Sequence, residues 1–179
     1  MNMNGHTFGA NVYIRAPGAT WTLQSEMVMN NNRECYWENG TIVSNGHQMN
    51  FGRRLYAWYN SSNKNMTLDL SGTDSVWVDF RWEVYPNQYM NVINAENTAI
   101  IMDEYNAGDH MYFRGGVHRY GDLVMKHMAT NSTHTMYVDY QDTLNNVTFY
   151  GADRQNFYVA NSNAQMNNVS ASWGNTNYN

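Results

Sequence analysis

Charge is scarce in this chain. Only 14 % of its residues are Asp, Glu, Lys or Arg, and lysine occurs twice, at Lys64 and Lys126. With a net charge of −5 and no basic run, nothing is present to neutralise a phosphate backbone, so nucleic acid is excluded as a partner. Cysteine is reduced to Cys35, which rules out an intrachain disulfide and a cysteine-based zinc site and predicts a free thiol. No apolar run approaches the length of a membrane span, and no membrane partner is expected. The opening Met1-Asn-Met-Asn-Gly-His6 has neither the basic nor the apolar region of a secretory leader. The chain is read as made without secretion or as the mature portion of something longer, at work outside the cell or on a virion surface.

What replaces charge is Asn, Ser, Thr, Gly and Tyr, with aromatics at 15 %. Neutral amides and phenols hydrogen-bond without a charge to desolvate, which suits surfaces that touch sugars or pack against copies of themselves. Six Asn-x-Ser/Thr sequons, at Asn39, Asn60, Asn65, Asn131, Asn146 and Asn168, carry little weight in so Asn-rich a chain. The 13 methionines fall mostly at alternating apolar positions and read as core filling rather than as metal ligands.

Helical periodicity is missing throughout. Short alternating runs separated by Gly, Asn, Asp and Ser read as about fourteen strands. Asn39-Gly40 and Asn45-Gly46 are hairpin signals. Ser75–Tyr85 reads as the longest strand, with Val76, Val78, Phe80, Trp82 and Val84 on one face and Trp77, Asp79, Arg81, Glu83 and Tyr85 on the other. No internal repeat or composition break is evident. The expectation is one all-β domain, residues 1–179, folded as an antiparallel β-sandwich of the concanavalin-like jelly-roll class.

The stretch His110–Asp122 carries the most chemistry. By period two, Phe113, Gly115 and Val117 face the core, and His110, Tyr112, Arg114, Gly116, His118 and Tyr120 face away. Gly115 and Gly116 read as room for a ligand. Alongside Trp77, Arg81, Glu83 and Tyr85, this face would form an aromatic and charged groove, with rings to stack on sugars and Arg to grip a carboxylate. The bland reading of the same residues is a cross-strand Arg–Glu pair shielded by aromatics.

The run Tyr112-Phe-Arg-Gly-Gly-Val-His118 resembles a strand near the active site of jelly-roll polysaccharide lyases of the alginate-lyase type. There an aromatic pair, a basic residue, a small residue, Gly, an aliphatic residue and a catalytic Tyr follow in order, with His118 falling at the place of that Tyr. The Arg-Ser/Thr-Glu-Leu strand of such lyases meets only Gln24-Ser25-Glu26-Met27, without its Arg. The resemblance implies the jelly-roll fold, a concave groove for an acidic polysaccharide, and β-elimination with Tyr112, Arg114 and His118 as catalytic candidates.

Trp77, Arg81, Glu83, Tyr85 and Tyr120 are the accompanying ligand-binding candidates. No carboxylate pair at glycosidase spacing, no nucleophile elbow and no regular histidine spacing for a metal occurs. No cofactor is expected; calcium is the one that Asp103-Glu104 and Asp139–Asp142 would admit, against the ordinary reading of solvated turn acids. The functional expectation is lectin-like carbohydrate binding, with or without lyase activity. The alternative from another class is a structural assembly protein, such as a viral or phage coat or fibre or a surface-layer subunit, forming a homo-oligomer or larger array.

Overall fold

Alternation sends every second side chain inward, and in the computed structural model the strands so formed stack in parallel, coil upon coil. The structure describes residues 1–57, 65–84, 90–104, 110–116, 118–127, 134–139, 142–151, 155–159 and 164–173. The expectations placed on Tyr85, Val117, Asn60, Asn131 and Tyr140-Gln141 fall outside those residues.

In chain order the strands are β1 (Thr7–Phe8), β2 (Val12–Thr22), β3 (Met27–Met29), β4 (Glu34–Val43), β5 (Met49–Asn50) and β6 (Arg54–Ala57). Then come β7 (Met66–Asp69), β8 (Ser75–Val78), β9 (Arg81–Glu83), β10 (Met90–Ile93), β11 (Ala99–Glu104) and β12 (Met111–Arg114). The series ends with β13 (Arg119–His127), β14 (His134–Asp139), β15 (Thr143–Gly151), β16 (Gln155–Val159) and β17 (Gln165–Trp173). One sheet holds β1-β3-β5-β8-β11-β13-β15-β17 in that order; the other runs β10-β7-β4-β6-β9-β12-β14-β16, with β2 beside β4. The ladders of both sheets are parallel, as in β8–β11, β11–β13, β9–β12 and β12–β14. This is a β-solenoid.

The antiparallel jelly-roll sandwich is therefore overturned. Period two says which side chains point inward and is silent on the direction of the neighbouring strand. The Asn-Gly pairs, read as hairpins, are corners. Asn39-Gly40 lies inside β4, whose first half pairs with β6 and whose second half pairs with β7. Gly40 sits at φ +97°, and a Cβ there would lie 2.7 Å from the Trp21 ring and 2.8 Å from the Ala16 carbonyl, so only glycine fits. At the next corner Asn45 donates its side-chain amide to the Leu23 carbonyl and Gly46 donates its N–H to Ser71, so the turn is tied to neighbouring coils.

Ser75–Tyr85 is likewise not one strand. It breaks at Asp79-Phe80 into β8 and β9, which belong to different sheets. Phe80 is buried at this corner, with Arg53 and Arg81 over its ring at 5.1 and 4.5 Å.

The core is a set of columns running across the strands. Met49, Val76, Ile100, Leu123 and Val147 form one, and Cys35, Leu55, Trp82, Phe113 and Val138 form another. Along Val76, Ile100, Leu123, Val147 and Val169 the partners recur every 22 to 24 residues, a repeat invisible as sequence identity because only size and polarity are kept. Among the described residues nine methionines, including Met27, Met49, Met102 and Met125, are buried in such columns, where a flexible side chain fills uneven gaps. Val78, Phe80, Trp82 and Phe113 are buried, and Cys35 is a free, fully buried thiol. Asparagine finds its use in outward ladders. Asn146 Nδ2 donates to Asp122 Oδ1 at 2.6 Å, and Asn168 Nδ2 donates to Asn146 Oδ1 at 2.9 Å.

Candidate functional site

The outer side of the β4-β6-β9-β12-β14-β16 stack gathers the informative polar residues, and two adjacent columns define it. One runs Glu34, Arg54, Arg81, Tyr112, Tyr137, Tyr158; the other runs Tyr13, Tyr36, Tyr56, Glu83, Arg114 and, by register, Asp139. Parallel strands in register put like side chains about 4.8 Å apart, which is near the stacking distance of aromatic rings. Tyr112 and Tyr137 accordingly stack with centroids 4.6 Å apart and planes 1° from parallel, and Tyr158 meets Tyr137 edge-on at 5.5 Å and 70°. At the other end Tyr13 stacks on Tyr36 at 5.0 Å and 8°.

Between the two tyrosine ladders lies an ionic cluster. Glu83 points outward yet is only 2 % exposed, because arginines from three coils close over it. Arg114 Nη1 donates to Glu83 Oε1 at 2.9 Å; Arg54 Nε lies 3.5 Å from Oε2 and Arg81 Nη1 3.8 Å from Oε1. Arg81 and Arg114 also lie over the Tyr112 ring, at 4.7 and 5.0 Å from its centroid. The Nε atoms of Arg54 and Arg81 are buried without a hydrogen-bond partner. Glu34 accepts a short hydrogen bond from the Tyr36 hydroxyl, and that bond, with burial, pushes the phenol up to about 12.

Of the residues singled out from the sequence, the fold brings Arg81, Glu83, Tyr112 and Arg114 together. Trp77 is elsewhere. It lies on β8 in the other sheet, with Lys126 Nζ 5.8 Å from its ring, because the Asp79-Phe80 corner separates it from Arg81. Tyr120 points inward: it is buried against Trp82 and Phe113, and its hydroxyl donates to the Gly115 carbonyl at 2.7 Å. The strand ends at Arg114, and alternation does not carry through the corner that follows. His118 sits in that corner, its Nε2 3.0 Å from the Met90 carbonyl, and burial lowers its pKa, partly opposed by that hydrogen bond. Its ring is thus engaged inside the fold rather than set beside Tyr112 and Arg114 on the outer columns.

The glycines serve packing. A Cβ on Gly115 would lie 2.5 Å from Asp142 Oδ2 and 2.7 Å from the Tyr120 ring. Buried Asp142, one of the acids considered for calcium, accepts the Gly115 and His118 N–H groups at 3.1 and 3.3 Å. Asp103, another, lies 3.8 Å from Lys126 Nζ. Among the described residues no group of three or more His, Cys, Asp or Glu side chains converges. His110 takes the Thr135 N–H on Nδ1 and meets the Tyr137 ring edge-on at 5.9 Å.

Arg54, Tyr13, Tyr36, Tyr56, Tyr137 and Tyr158 were not singled out from the sequence. A signal for them exists. An apolar-Tyr-apolar triplet recurs as Val12-Tyr13-Ile14, Cys35-Tyr36-Trp37, Leu55-Tyr56-Ala57, Met111-Tyr112-Phe113, Met136-Tyr137-Val138 and Phe157-Tyr158-Val159, once in nearly every coil of this stack. No family model matches the chain, and no match to a curated protein or to a solved structure was found.

Proposed function

We propose that the chain binds a polysaccharide laid across the strands, along the outer columns of the β4-β6-β9-β12-β14-β16 stack. The observation that carries this is the tyrosine ladder. Tyr112 and Tyr137 are parallel at 4.6 Å, and Tyr158, next in the column, is turned 70° from Tyr137 and remains 54 % exposed. Tyr112 and Tyr137 cover one another's facing sides and so present a row of ring edges and hydroxyls, while the turned, exposed Tyr158 ring offers an apolar surface; a linear strip of this kind suits a sugar chain rather than a compact ligand. The proposal is for binding alone, since His118, a catalytic candidate alongside Tyr112 and Arg114, is engaged within the fold.

Affinity electrophoresis through a panel of neutral and uronic-acid polysaccharides tests it. At least one polymer should retard the protein, and Tyr158→Ala should weaken that retardation roughly two- to tenfold, the worth of one aromatic contact. No retardation by any polymer, or retardation indifferent to Tyr158 and Tyr137, overturns the reading.

Assembly into larger particles is the second reading, and one observation favours it. Phe157, Val159 and Val169 are 39, 40 and 52 % exposed, whereas their column partners Met136, Val138 and Val147 are buried. Light scattering across a concentration series decides it: a constant monomer mass rejects assembly.

A further inference from the structure

We infer that the polysaccharide is acidic, and that its carboxylates are taken by Arg81 and Arg54 rather than by Arg114. This rests on the binding reading above and assigns it a ligand class. Three guanidinium groups share the one buried carboxylate of Glu83, and they do not share it equally. Among the described residues Arg114 is the one that hydrogen-bonds to it, at 2.9 Å, so its charge is committed inside the protein. Arg81 Nη1 and Arg54 Nε stand off from it at 3.8 and 3.5 Å; their Nε atoms are buried on the protein side, and what a ligand can reach is the remainder of two side chains that are 29 and 22 % exposed. Glu34, 3.9 Å from Arg54, is itself engaged by the Tyr36 hydroxyl. Among the described side chains the cluster sets three guanidinium groups against two carboxylates.

A part-exposed guanidinium held by its own carboxylate only at long range favours a second carboxylate, whose two oxygens meet the planar fork with parallel hydrogen bonds. The placement agrees with the ladder. Arg54 and Arg81 occupy the same column as Tyr112, Tyr137 and Tyr158, so a sugar chain lying on the rings passes directly onto the two arginines. The anion and the stacked rings then belong to one strip of surface, with adjacent units of the chain meeting different chemistry.

Polygalacturonate and its fully methyl-esterified form share a backbone and differ in charge, which makes them the probes, with dextran sulfate and plain dextran as the sulfate arm. Binding to polygalacturonate should exceed binding to the ester at least tenfold and weaken with added NaCl. Arg81→Gln and Arg54→Gln should each lower it about tenfold or more, while Arg81→Lys should retain part of it. Arg119→Gln, the same loss of charge at the exposed first residue of β13, is the control for net charge alone.

Equal binding of acid and ester, both dependent on Tyr158, leaves polysaccharide binding standing and overturns the acidic class. Arginine-dependent binding of dextran sulfate but not of polygalacturonate overturns the carboxylate assignment in favour of sulfate. Polygalacturonate binding that survives Arg81→Gln and Arg54→Gln in folded variants overturns the site. Failure of every polymer overturns the binding reading itself.

Discussion

Replacing Glu83 by Gln should be the most damaging single change on the outer surface of this protein, although it alters one atom. The amide keeps the shape and an oxygen for Arg114 Nη1, so what is removed is the charge. At an effective dielectric of about 20, each guanidinium at this range attracts the carboxylate by roughly 4–5 kcal/mol, most of it offset by desolvation. Breaking a buried ion pair by removing one partner costs about 3–5 kcal/mol, because the other charge is left uncompensated. Here the arginines are 22 to 29 % exposed, so water screens part of the loss and the low end, about 3 kcal/mol, is the expectation.

Urea unfolding followed by tryptophan fluorescence reads this, with circular dichroism in parallel, because coils of a solenoid can open separately. The corresponding fall in Tm is about 6–12 °C for a chain of this length. If the cost comes from stranded positive charge, Glu83→Gln combined with Arg114→Gln should lose less than the sum of the two single changes. A Glu83→Gln protein within about 1 kcal/mol of the parent would refute the reasoning, and so would strict additivity.

Three other outcomes are expected. Gly115→Ala should destabilise by about 1–3 kcal/mol, since its Cβ would meet Asp142 Oδ2 at 2.5 Å; an unchanged urea midpoint would show that the corner can give way. Cys35, its thiol pushed up to about 12 by burial, should not react with a disulfide reagent in the native protein and should yield one equivalent on unfolding. Burial favours neutral His118, so its contribution is fully present above the unfolded value of about 6.5 and is lost as pH falls toward the lower folded value. Comparing urea midpoints between pH 7.5 and 5.5 for the parent and His118→Gln should show a smaller acid loss in the variant. An identical loss removes His118 from the account.

Inward and outward assignment was legible in the sequence wherever a strand is unbroken. Val76, Val78, Trp82 and Phe113 lie inward, and Arg81, Glu83, Tyr112 and Arg114 outward, because period two holds within each strand. It failed where a corner intervenes. Asp79-Phe80 lets alternation run on unbroken across two walls, so Trp77 and Arg81 share a parity without sharing a face. Corner glycines cannot be told from hairpin glycines by composition, since both need positive φ, as at Gly40 and Gly46. Nor does a ladder of dissimilar residues such as Leu55, Trp82, Phe113 and Val138 declare itself as a repeat.

The apolar-Tyr-apolar triplets explain why the ionic cluster sits where it does. In the coils of β2, β4 and β6 the tyrosines occupy one outer column, as Tyr13, Tyr36 and Tyr56; in those of β12, β14 and β16 they occupy its neighbour, as Tyr112, Tyr137 and Tyr158. The two ladders are offset by two residues and cannot stack on one another. β9 is the coil between them, and its triplet Trp82-Glu83-Val84 carries a carboxylate in place of a phenol. Glu83 ends the first ladder above Tyr56, and Arg81 ends the second beneath Tyr112. A ring at either position would have a partner on one side only, whereas charges can reach diagonally to Arg54 and Arg114 on the coils before and after. The offset that breaks the stacking is thereby the place where excess guanidinium accumulates, and a polysaccharide following the Tyr158 ladder inward would meet its first positive charge there.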